Sequence, residues 1–222
     1  MRMNTEETRV TITDDEPLFV ELLLRALVTE PEIIVVGTAY DGEKSVQLAR
    51  ELRPDVVLVD IELPGEMDGI EAALIIKREM PETGVVILSA HSDRRYITSL
   101  PLEDSSGWAY ILKQTVPNVA ELVRAIQGTR VGMVVLDPAV LANLRPRRDS
   151  SVAKLTPRQQ DVLKLIAEGR SNAAIAKRLI LSEKSVETYV NCIYQRLGLS
   201  GEQEINARVR ATLLFLESSE KH

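Results

Sequence analysis

The sequence predicts a doubly wound α/β domain built on a five-stranded parallel sheet, followed by a small all-α domain. Short β-branched runs alternate with longer stretches of helical spacing up to about residue 128. Beyond a polar segment rich in Arg and Pro the strand signal ends, and what remains reads as a succession of capped helices.

The expected strands are Arg9 to Thr13, Ile33 to Gly37, Val56 to Val59, Val85 to Ser89 and Ala109 to Leu112. Between them, Pro17 to Thr29 carries a Leu/Val stripe, Gly42 to Leu52 carries Val46, Leu48 and Ala49, and Gly69 to Met80 carries Ile70, Ala73, Leu74 and Ile76. From Thr129 the pattern weakens, and Arg145-Pro-Arg-Arg-Asp-Ser-Ser151 has the composition of an exposed linker. Thr156-Pro157-Arg158-Gln159 reads as a capping box opening a helix that stops at Gly169. Helices at Asn172 to Leu179 and Glu183 to Leu197 follow Ser171 and Ser182 as caps, and Asn206 to Leu216 supplies a fourth. Two helices joined by the short turn Ile180-Leu181 outline a helix-turn-helix. The expected domains are therefore 1–128 and 154–222, with 129–153 as linker.

Composition narrows the function classes. One cysteine, Cys192, excludes a disulfide framework and a cysteine-rich zinc site, which fits a reducing, cytoplasmic compartment. No run approaches a membrane span, and the first eight residues lack the apolar segment of a signal peptide. The net charge of -6 hides an asymmetry: residues 150–222 hold 11 Lys/Arg against 8 Asp/Glu, so the C-terminal part is basic and the rest strongly acidic. A nucleic-acid module joined to something else is consistent with that split.

The chemistry concentrates at strand ends. Asp14 and Asp15, Asp60 and Lys113 each follow an expected strand and Ser89 ends one, and in open parallel sheets ligands sit at the carboxyl ends of the strands. A carboxylate nucleophile can accept a phosphoryl group where a divalent cation, a hydroxyl and an ammonium are held around it. Asp14, Asp15 and Asp60 offer the hard oxygens that Mg2+ requires.

This constellation, over about residues 8–128, resembles the flavodoxin-like receiver domain of two-component response regulators. The resemblance implies Asp60 as phosphoacceptor and Mg2+ held directly by Asp15, Asp60 and the Glu62 carbonyl, with Asp14 acting mainly through water. It also implies Ser89 and Lys113 on the phosphoryl oxygens, and Tyr110 as an aromatic that swings inward when Ser89 moves. Two features depart from the usual pattern. The loop between Pro64 and Gly69 is one residue longer, and Pro101 interrupts an expected helix. Glu62 and His91 flank the route of an attacking water and are expected to tune phosphate lifetime. Trp108 is expected in the core.

Leu155 to Leu163, Ile166-Ala-Glu-Gly169, Ile175-Ala176 and Ser182 to Val190, with Ile193 and Arg196-Leu-Gly198, resemble the LuxR-type helix-turn-helix. The whole chain thus resembles the NarL/FixJ family. On the third helix Val186, Val190, Ile193 and Leu197 recur at helical spacing and should face the core, leaving Lys184, Glu187, Thr188 and Asn191 outward. By position Glu187, Thr188 and Asn191 are assigned to base reading, and Lys184, Ser185, Lys177 and Arg196 to backbone contact. Arg145, Arg147 and Arg148 are read as solvated linker, and the last helix, with Ala207, Ala211, Leu214 and Phe215, as pairing with its copy in a homodimer.

The resemblance implies a transcription factor whose Asp60 is phosphorylated by a sensor histidine kinase, whose target is double-stranded DNA, and whose only chemistry is transfer onto Asp60 and its hydrolysis. Two alternatives stand beside it. One is a DNA-binding regulator whose atypical receiver answers to a partner or ligand rather than phosphate. The other is an enzyme with an aspartyl-phosphate intermediate, for which Glu62 would be a poor second acid.

Overall fold

The computed structural model describes residues 7–90, 106–116, 118–142, 150–200 and 204–218. Expectations on His91, Pro101, Arg145, Arg147 and Arg148 lie outside the described residues. The chain divides into two units, one spanning 1–92 and 107–132, the other 93–106 and 133–222.

In the first unit β1 (Thr8–Thr13), β2 (Ile33–Ala39), β3 (Val56–Asp60), β4 (Gly84–Ser89) and β5 (Trp108–Leu112) run parallel in the order β2-β1-β3-β4-β5. The central strands carry apolar side chains on both faces, as a sheet covered by helices requires: all five residues of β3 and of β5 are buried. Each buried Val, Leu or Ile stabilises the fold by about 1.5–3 kcal/mol relative to exposure. Trp108 is wholly buried, as expected.

The helices α1 (Pro17–Leu27), α2 (Gly42–Leu52), α3 (Gly69–Glu79) and α4 (Val119–Arg130) start where local chemistry supports them. Pro17 stands in the first turn of α1, where its missing N–H costs nothing. Asp41 caps α2, and Asp68 with Glu71 closes a capping box on α3. That box ties down the longer β3–α3 loop, and Gly69 behind it lies so close to the Asp60 carbonyl that an added Cβ would come within 1.6 Å of the oxygen.

The register aligns the functional ends. Thr13 pairs with Val59, Asp60 with Leu88, and Ser89 with Leu112. Chain order reverses between β1 and β3, which opens a crevice beyond their carboxyl ends.

Within 129–153, expected as linker, α4 continues to Arg130 and three further elements form. They are the strand β6 (Val134–Leu136), the short helix α5 (Pro138–Ala142) and a 3-10 turn (Val152–Lys154). Val134 to Leu136 is too short an apolar run to separate from loop by periodicity, and burial decides it.

The second unit holds β6, α5 and four longer helices, α6 (Pro157–Ala167), α7 (Asn172–Leu179), α8 (Glu183–Leu197) and α9 (Glu204–Glu217). Thr156 and Gln159 form the expected capping box; Ser171 and Ser182 cap α7 and α8, and Gly198 ends α8 at φ 75. No described helix is long and apolar enough to cross a membrane.

Candidate functional site

The β1–α1 loop, the end of β3 and the turn after β5 bring four charged side chains together. One carboxylate oxygen from each of Asp14, Asp15 and Asp60 lies within 4.8 Å of the others. Lys113, first residue of a short 3-10 turn, places its ammonium 2.9 Å from Asp60 Oδ2 and 2.9 Å from Asp14 Oδ2. Asp14 and Asp60 are buried and Asp15 is exposed, so the cluster is closed below and open to solvent on one side. Ser89 is buried at the end of β4, two strands from Asp14.

Two backbone amides shape the carboxylates. The N–H of Glu16 donates to Asp14 Oδ1 at 2.9 Å, and the N–H of Glu62 donates to Asp60. Asp14 Oδ2 is buried and faces the ammonium off the line of a hydrogen bond, so it has charge pairing without a directed donor. A buried carboxylate oxygen in that state, with two further carboxylates beside it, is a donor set compatible with Mg2+.

The electrostatics are those of a crowded anionic pocket. Burial raises Asp14 and Asp60 above the usual carboxylate range, against the lowering by Lys113, and for Asp60 the nearby Asp14 charge raises it further. For Lys113 burial acts downward, yet the carboxylates of Asp60, Asp14 and Glu16 around it carry its ammonium above the ordinary lysine range. The ammonium also rests 4.8 Å from the centre of the Phe19 ring.

In the second unit Val186, Val190 and Ile193 bury one face of α8 while Lys184, Glu187, Thr188 and Asn191 are exposed on the other. Arg158 Nη2 holds the last carbonyl of α7, Leu179 O, at 2.7 Å, which locks the turn between α7 and α8. Ile180 occupies that turn at φ 55 and is 93% exposed.

Residues 10–127 match the response regulator receiver domain, and residues 153–208 match the bacterial regulatory proteins of the luxR family. The chain belongs to the NarL/FixJ family of response regulators. It is 30% identical to the nitrate/nitrite response regulator protein NarL of Escherichia coli (strain K12) over 219 residues, covering 96% of this chain and 99% of that one. It is 35% identical to the transcriptional regulatory protein MctR of Rhizobium johnstonii, covering 86% and 88%. A solved structure of two RcsB dimers bound to two parallel DNAs superposes with a TM-score of 0.54 at 25% identity, covering 96% of this chain and 99% of that chain. This response regulator is a two-component transcription regulator with a receiver and a LuxR-type DNA-binding domain.

Tyr110 is buried in β5, 1% exposed. Other side chains of the regulator stand otherwise than expected. Leu197 is only half-buried, and Tyr194 takes its place in the core of α8. Arg196 spends one guanidinium nitrogen on the Lys154 carbonyl at 3.1 Å, a structural tie that the sequence does not reveal. In the last helix, expected to pair with its copy, Ala207, Ala211 and Phe215 are buried and Leu214 is half-buried, and α9 packs on α6, α8 and β6 within its own unit. A stripe at helical spacing cannot by itself say whether another helix of the same chain or a second copy covers it.

Other participants were not singled out by the sequence. Glu16 reaches Lys113 across 97 positions, Gly69 permits the close approach to Asp60, and Arg208 from α9 donates to Asn172 Oδ1 and the Arg170 carbonyl. None carries a spacing signal, because each contact joins segments remote along the chain.

Proposed function

We propose that Asp60 is the phosphoacceptor of this regulator, that a sensor histidine kinase is its donor, and that the phosphoryl group changes how the second unit binds double-stranded DNA. The observation that carries this is the meeting of Asp14, Asp15 and Asp60 around one point with Lys113 against Asp60. An Asp60 oxygen forms the bond to phosphorus as the bond from phosphorus to the donor histidine nitrogen breaks. The electron pair leaves with the imidazole, which takes a proton from water.

Asp15, Asp60 and the Glu62 carbonyl would hold Mg2+, with Asp14 acting through water, and the ion would supply charge neutralisation of the phosphoryl oxygens. Lys113 orients one phosphoryl oxygen through its ammonium. Ser89, at the end of the neighbouring strand, offers a hydroxyl to another. Hydrolysis of the acyl phosphate returns Asp60 to a free carboxylate, with Glu62 and His91 setting its lifetime.

On DNA, Glu187, Thr188 and Asn191 of α8 would meet base edges, while Lys184, Ser185 and Lys177 contact phosphates. Arg196 keeps free donors for a phosphate beside its tie to Lys154. The Thr188 hydroxyl already donates to the Lys184 carbonyl at 2.9 Å, so Thr188 would read through its methyl group and acceptor lone pairs. The protein works in the cytoplasm as a homodimer on paired half-sites, each protomer reading one half-site, which adds affinity and specificity.

The deciding experiment incubates the full chain with Mg2+ and a small phosphodonor and reads the phosphorylated residue by mass spectrometry, with Asp60→Asn as control. Label on Asp60 with a changed operator affinity is the expected result. DNA binding that ignores the donor, with Asp60 unlabelled, would favour control by a partner or ligand instead.

A further inference from the structure

We propose that Glu16 is an electrostatic brake on phosphoryl transfer from small anionic donors, holding one proton of the Lys113 ammonium and setting a fixed negative charge at the mouth of the site. This rests on the reading of Asp60 as phosphoacceptor.

Glu16 stands at the N-cap position of α1, where a side chain ordinarily satisfies a helix amide, yet it makes no capping hydrogen bond. Its carboxylate instead turns to Lys113 and accepts from Nζ at 3.1 Å. The backbone of Glu16 is fixed by Asp14 Oδ1, so this orientation is anchored on the acidic cluster itself. Three carboxylates, those of Asp14, Asp60 and Glu16, thus surround an ammonium with three protons. Of these three, Glu16 alone lies outside the cluster of Asp14, Asp15 and Asp60, and its side chain is 66% exposed.

Two consequences follow from charge. A phosphoryl oxygen arriving at Asp60 needs a Lys113 proton that Glu16 now occupies. An anionic donor must also approach past an exposed carboxylate, which repels it. Glu16 touches neither the bond that forms from Asp60 to phosphorus nor the bond that breaks in the donor, whose electron pair leaves with the departing group. It therefore acts as a specificity and positioning residue. A kinase, which brings its own surface to the site, can offset this charge in a way that a small acyl phosphate cannot.

The test compares wild type, Glu16→Gln and Glu16→Ala as full chains with Mg2+ and acetyl phosphate. Both variants are expected to become phosphorylated on Asp60 about threefold faster at low salt, the size of an exposed charge pair. The ratio should shrink toward one at about 0.5 M salt, where screening is nearly complete within a few ångströms. In the metal-free protein, nitrogen-15 spectra of the Lys113 ammonium, assigned with Lys113→Met, should shift in both variants. Equal rates at both salt levels, a ratio indifferent to salt, or an unmoved Lys113 signal would each overturn the brake while leaving Asp60 as acceptor. A wild type that binds DNA but takes no label on Asp60 would overturn both readings.

Discussion

Lys113 Nζ lies 2.9 Å from Asp60 Oδ2, joining the residue after β5 to the last residue of β3 across the width of β4. This ion pair is nearly dry on both sides, with side-chain exposures of 13% and 5%, so it is screened far less than a surface pair. Lys113 thereby reports directly on the charge of Asp60.

Replacing Lys113 by Met removes the cation and leaves two buried carboxylates without it. Phosphorylation of Asp60 should slow by about 100-fold or more, the loss expected when a single preorganised charge is deleted. Rates measured with acetyl phosphate across donor concentrations check this, and the plateau rate should fall more than the half-saturating concentration rises.

The raised pKa values of Asp14 and Asp60 carry a sign. The folded state binds these protons more tightly than the unfolded chain, so their contribution to stability is fully present below the unfolded value of 3.8 and is lost as pH rises through the folded values. In metal-free protein at pH 7, Asp14→Asn should therefore raise the urea midpoint, and the gain should fade as pH approaches 4. Divalent cations compete with the same protons, so Mg2+ affinity should weaken on mild acidification, at a pH where an ordinary carboxylate would still be ionised. Titration of Mg2+ by calorimetry at several pH values measures it.

Gly69→Ala should be severely destabilising. An added Cβ would sit 1.6 Å from the Asp60 carbonyl oxygen, and backbone rather than a flexible side chain must give way. A loss of more than about 4 kcal/mol, or failure to fold the receiver, is expected in thermal melts followed by circular dichroism.

Ile180 is β-branched and left-handed at φ 55, in the position that ends α7 and where glycine is the default. Because its side chain is exposed, Ile180→Gly loses little burial and relieves about 1 kcal/mol of backbone strain. The variant should melt higher, read by scanning calorimetry of the full chain.

On DNA, Lys184→Ala should weaken binding to all sequences alike and reduce the slope of log affinity against log salt by roughly 1. Asn191→Ala should instead cost about 1–3 kcal/mol on the preferred operator only. Fluorescence anisotropy with specific and random duplexes at several salt concentrations separates the two.

By itself the sequence determined the parallel α/β unit, the capped helices and the residues that meet at the sheet edge, because these follow from periodicity, cap chemistry and strand-end position. Asp14, Asp15, Asp60 and Lys113 each end an apolar run, and local rules suffice to place them. Only tertiary structure decided that Glu16 forgoes capping α1 to hold Lys113, that Gly69 lies against Asp60, that Val134–Leu136 is a strand and that α9 spends its apolar face inside its own unit. Each of those outcomes depends on which distant segment covers or contacts a residue. Neither helical spacing nor residue type carries that information along the chain.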